Sequence, residues 1–211
     1  MRRHQSGFTL IEIAIVLVII GLLLGGILKG QELINSARVK NLASDFRNIP
    51  LYIYGYQDKF KALPGDASAV VAHLGTDATP ATPTGTLGNG VIDGAWNQAS
   101  PSTAESFLFW QHVRLAGLAP GPTVTTAGDY PPTNSVGSRI GVQSAAPITG
   151  IKGTYFICSA GIQGKFVKQL DTQLDDGNTA TGSMMAGTTL PASIATVDIV
   201  DATPYIVCMG I

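Results

Sequence analysis

The stretch that most restricts what this chain can become is FTLIEIAIVLVIIGLLLGGIL, from Phe8 to Leu28, which carries a single charged residue, Glu12. Twenty-one residues at ~1.5 Å each give a helix of about 30 Å, the thickness of the hydrocarbon layer of a bilayer. A cleavable secretory segment has an apolar stretch of only about 7–15 residues and ends at a small-x-small site. This run is longer, and Ala-x-Ala does not follow it. Arg2 and Arg3 precede it, so the positive-inside rule places the N-terminus in the cytoplasm and everything after Lys29 on the far side. The expectation is a retained, single-pass membrane helix.

Within that helix the acid is the anomaly. A carboxylate at the bilayer centre costs about 3 kcal/mol on insertion scales, and such residues usually mark function. Its surroundings are ordered: Gly7-Phe8-Thr9-Leu10-Ile11-Glu12 follows a short basic leader and precedes the apolar run. This arrangement resembles the prepilin leader of type IV pilins, which is similar in the pseudopilins of type II secretion systems. The resemblance covers about the first 30 residues by motif and extends to about residue 60 by the long helix.

The resemblance implies that a membrane-embedded prepilin peptidase/methyltransferase cuts between Gly7 and Phe8 and N-methylates Phe8. It also implies that Glu12 pairs with the terminal amine of a neighbouring subunit during filament assembly. Physical chemistry agrees with that role, since a buried carboxylate is tolerable beside a cation and cleavage creates a cation one helical turn away. The plainer alternative is a single-span anchor whose acid is merely tolerated near the membrane interface.

The helical pattern continues past the membrane. Val39, Leu42, Phe46, Ile49, Ile53 and Tyr56 recur at spacings of 3 and 4, with Arg38, Lys40, Asp45 and Arg47 on the opposite face. A helix from about Phe8 to Tyr56 is too long for one compact domain to bury, so its first half is expected to project. Pro50 lies inside the pattern and is expected to bend it. The expected organisation is a leader (1–7), a membrane and filament-core helix (8–28), an amphipathic stalk helix (29–60) and an extracytoplasmic globular head (61–211).

Beyond residue 60 the texture becomes that of a loop-rich α+β domain. Leu63-Pro64-Gly65-Asp66 reads as a turn, and 76–90 and 119–137 are rich in Pro, Thr and Gly. Ser102-x-x-Glu105 predicts a capping box opening a short helix that stops near Gly117. Strand-like runs occupy 139–143, 153–160 and 205–210, and Phe166, Val167, Leu170 and Leu174 have helical spacing. The expected fold is α+β: a long N-terminal helix whose second half packs on a small antiparallel sheet with long loops. Cys158 and Cys208, the only cysteines, sit in two of the strand-like runs. Export would give them an environment in which to pair, and a disulfide is expected in preference to two buried thiols.

Chemistry is thinly represented. A formal net charge of −1 offers no basic footprint for nucleic acid. Asp171, Asp175, Asp176 and Asn178 are close in sequence, but LDTQLDDGN lacks the alternating acids of a calcium loop and reads as an acidic helix end before a Gly turn. Ser106, His112 and Asp129 have no nucleophile-elbow context, and Trp96 and Trp110 read as core. No catalytic residue, metal or cofactor is expected.

The expected partners are the peptidase, the inner membrane, and copies of this chain and other pilin-like subunits. The expected course is an inner-membrane precursor, with its globular part in the periplasm, that becomes an extracellular or periplasmic filament subunit. A pilus subunit and a secretion pseudopilin both fit. A third reading, from another class, is an extracytoplasmic enzyme or binding domain on one uncleaved anchor, which would begin at Met1.

Overall fold

The computed structural model describes residues 9–83 and 85–211. The chain divides into two units, Met1–Arg38 and Val39–Ile211. Helix α1 spans Leu10–Phe60 and is helical on both sides of Pro50. In the first unit every large apolar side chain from Leu10 to Ile34 is exposed. Such a surface has no stable place in water, and α1 is the one described helix long and apolar enough to cross a membrane.

In the second unit the predicted stripe is the buried face of α1. Val39, Leu42, Phe46, Ile49 and Ile53 join one large core, and Tyr56 begins a smaller cluster with Ala67, Val70 and Ala78. After α1 come α2 (Val70–Leu74), α3 (Glu105–Leu115), β1 (Ile140–Gln143), β2 (Phe156–Gln163), α4 (Gly164–Leu174), β3 (Met184–Gly187) and β4 (Pro204–Gly210). The four strands form one antiparallel sheet in the order β1-β2-β4-β3. The fold is α+β, a long helix packed on a small antiparallel sheet.

Both faces of the sheet are covered, which explains why its strands lack polar alternation. Ile157 of β2, Met184 of β3 and Val207 of β4 point into the core shared with α1, α3 and α4. Their sequence neighbours Phe156, Cys158, Met185 and Cys208 point the other way, onto Trp96, Ile148 and Ile151. Trp96 and Trp110 are both buried.

At the C-terminus of α3, Gly117 has φ +75°, its N–H bonds to the Arg114 carbonyl at 3.0 Å, and the Leu118 N–H bonds to the Val113 carbonyl at 2.9 Å. That pair of bonds is the Schellman closure, and it needs the left-handed residue that glycine supplies. The start of α3 differs from expectation. Ala104 is the N-cap and makes no side-chain cap bond. Ser102 Oγ accepts from the Ala104 N–H at 3.1 Å, and Glu105 turns inward to accept from the Asp93 N–H at 2.7 Å. The capping box does not form because the helix begins two residues later than the box requires, with Ala104 as N-cap and Glu105 at the first helical position instead of the third. The short α2 and β3 carry no strong sequence signal, and β2 begins at Phe156, three residues later than the run at 153 suggests.

Candidate functional site

Gly7 and Phe8, the expected cleavage and methylation residues, lie outside the described residues. The described part of the site begins at Thr9, immediately before α1. The Thr9 N–H and hydroxyl both donate to Glu12 Oε2 at 2.7 Å, and the Glu12 N–H donates to Thr9 Oγ at 3.4 Å. This is a reciprocal capping box: the acid at the third helical position satisfies the N-cap amide, and the hydroxyl satisfies a free amide of the first turn. Thr9 was not singled out from sequence, although Thr-x-x-Glu before an apolar run is a recognisable signature. Among the described residues, Oε1 of Glu12 accepts no hydrogen bond. The carboxylate is therefore oriented by its own helix through Oε2.

The cysteines occupy directly opposed positions in the sheet. Cys158 on β2 pairs in register with Cys208 on β4, their Cα atoms are 4.1 Å apart, and they are joined by a disulfide. Opposed residues come this close at a non-hydrogen-bonded site of an antiparallel ladder, so the register itself brings the side chains together.

The acidic segment after α4 uses its carboxylates to shape the chain. Asp175 Oδ2 accepts from the Ser183 and Met184 N–H groups at 2.7 and 2.8 Å. Asp176 accepts from the Asn178 N–H at 2.8 Å and the Thr181 hydroxyl at 3.1 Å. Asp171 is fully buried with no well-aligned donor. Burial pushes its carboxyl up to about 6, the charges of Asp176 and Asp175 add to the rise, and the nearby Gly177 and Asn178 amides only partly oppose it. Among the described residues no set of three His, Cys, Asp or Glu side chains is placed to hold a metal.

The remaining candidates are structural. His112 is buried, its Nδ1 accepts from the Gly65 N–H at 2.9 Å, and its Nε2 lies 3.0 Å from the Thr79 carbonyl. With both nitrogens committed it has no lone pair to act as a base, and burial lowers its pKa to about 4. Ser106 donates to the Ala95 carbonyl at 2.9 Å. Asp129 lines an open cavity of about 340 Å³ with Asp45, Tyr52, Trp110 and Arg114. The Arg114 guanidinium there bonds to the carbonyls of Pro120, Pro122 and Tyr130. Ser106, His112 and Asp129 thus each bond or face elsewhere and form no nucleophile–base pair.

The family described as the prokaryotic N-terminal methylation motif matches residues 2–28, the leader signature of type IV pilins and pseudopilins. No curated protein and no solved structure matches the chain.

Proposed function

We propose that the chain is a prepilin, the precursor of a structural subunit of a type IV pilus-like filament. In this reading prepilin peptidase cuts between Gly7 and Phe8, Phe8 is N-methylated, and the subunit polymerises through α1. One observation carries the reading: the methylation motif at residues 2–28 takes in the first part of α1, residues 10–28, where every large apolar side chain is exposed and the one charged residue is Glu12. Before assembly that surface is covered by lipid, with the 39–211 unit in the periplasm. After assembly it is covered by the same helix of neighbouring copies. The capping box is compatible with the pairing role of Glu12, because the Thr9 amide and hydroxyl hold the carboxylate through a single oxygen, Oε2.

The subunit is structural and performs no catalysis. Immunogold labelling of filaments sheared from cells tests this. Label along surface filaments is expected. Label confined to the envelope, together with loss of a secreted protein when the chain is deleted, would assign it to a type II secretion system. An uncleaved, unassembled chain would overturn both in favour of an anchored domain.

A further inference from the structure

Two buried carboxyl groups meet where the turn after α1, the loop at 88–94 and the start of α3 come together. Asp66 is 2 % exposed and Glu105 fully buried. Asp66 sits in a nest of consecutive amides: Oδ1 accepts from the N–H groups of Gly88 and Asn89, and Oδ2 from the Gly90 N–H at 2.7 Å. Consecutive inward-turned amides of this kind form a concavity that suits an anionic acceptor. Gly88 and Gly90 have φ of +80° and +83°, which lets the loop turn its amides inward.

Glu105 uses Oε2 to accept from the Asp93 N–H at 2.7 Å. Its Oε1 finds no donor among the described residues, and its carboxyl lies in hydrogen-bond contact with that of Asp66. As a carboxylate, Glu105 would leave a buried acceptor unpaired against a second anion. Each of those defects is expensive. As a carboxylic acid it has an O–H to give, and both disappear.

We propose that Glu105 carries a proton which it donates to the Asp66 carboxylate, and that this shared proton latches the 88–94 loop to the start of α3 and releases it as the surroundings turn alkaline. The closeness of the packing supports a latch: a Cβ on Gly65 would lie 2.5 Å from the Glu105 carbonyl oxygen, and one on Gly94 would lie 2.7 Å from Ser106 Oγ. Burial pushes the Glu105 carboxyl up to about 7; Asp66 and Asp93 reinforce the rise and the Asp93 amide opposes it.

The other charged or titratable groups facing the pair do not substitute for the proton. His112 on α3 stays neutral until about pH 4. Tyr155, just before β2, donates to the Gly90 carbonyl at 3.3 Å, and burial raises its pKa. Lys61, which lines a cavity with Asp66, pairs with Asp58 at 3.3 Å. The raised pKa of Glu105 fixes the sign: its stabilising contribution is complete below the ordinary value of 4.5 and is lost as pH rises through about 7.

Amide hydrogen exchange on the full chain in detergent micelles, corrected for the intrinsic pH dependence, tests the latch. Between about pH 5.5 and about pH 8.5, protection at Gly88, Asn89, Gly90 and Asp93 should fall at least tenfold, the effect of roughly one pKa unit of displacement. Glu105→Gln, whose amide donates to Asp66 at every pH, should hold the loop across the range. A flat wild-type profile, or the same fall in Glu105→Gln, would overturn the proposal. Should the variant misfold, the ¹³C shift of the wild-type Glu105 carboxyl decides: a midpoint near about 7 supports the latch and one near 4.5 refutes it.

Discussion

Replacing Cys158 and Cys208 together by alanine isolates the contribution of the cross-strand bridge, because neither substitution leaves an unpaired thiol. The bridged residues are 50 apart in sequence and join β2 to β4, the strand that lies between β2 and β3. In the loop-entropy account, closing a loop of this size removes about 14 cal/mol/K from the unfolded chain, or about 4 kcal/mol at 25 °C. For a chain of this length each kcal/mol moves Tm by roughly 2–4 °C, which gives a drop of roughly 8–16 °C. The assay is urea and thermal unfolding of the purified protein, with thiol alkylation before and after reduction. A double variant that melts within about 3 °C of wild type would show that the bridge does not constrain the unfolded chain as argued. Two thiols that alkylate without reductant would show that the exported protein lacks the bridge.

Four further substitutions concern other levels of the structure. Glu12→Ala should leave processing and membrane insertion intact and abolish filament assembly, as read by sheared-filament yield, whereas Gly7→Val should block processing and leave the leader attached on a mass spectrum. Phe46→Ala, which empties a fully buried position in the core beneath the sheet, should cost about 3–5 kcal/mol in urea unfolding. Asp171, raised from 3.8 to about 6, contributes stability that is complete below 3.8 and lost as pH rises through about 6. Asp171→Asn should therefore reduce the loss of stability across that interval by on the order of 2 kcal/mol, read as urea midpoint against pH.

The parts of the fold written in long periodic or ordered patterns were legible in the sequence. The stripe from Val39 to Tyr56 is the buried face of α1, because five turns of matched spacing outweigh one interior proline. The α4 positions and the strands bearing the cysteines were readable for the same reason: apolar residues cluster there and turn signals bound them. What was not legible depends on partners distant in sequence. Met184–Gly187 is a strand only because β4 offers it a ladder, and its Met-Met-Ala-Gly composition carries no β signal. Glu105 looked like a cap residue, and only the fold brings it to Asp66 and the Asp93 amide. At the N-terminal site Glu12 stands out by its charge within the ordered run from Gly7, and the Thr-x-x-Glu spacing is itself a capping signature, while the contact of the Thr9 hydroxyl and N–H with the carboxylate comes from the helix start at Leu10.

The central claim is that the chain is cut at Gly7–Phe8 so that a new amine arises one turn from Glu12, and intact-mass and N-terminal peptide mass spectrometry of the chain from membranes and sheared filaments measures this directly. The account predicts that the dominant N-terminus is N-methylated Phe8, with Thr9 and Glu12 unmodified behind it. A chain that retains Met1 through Gly7 in both fractions would contradict it and leave Glu12 as the cap of an ordinary membrane anchor.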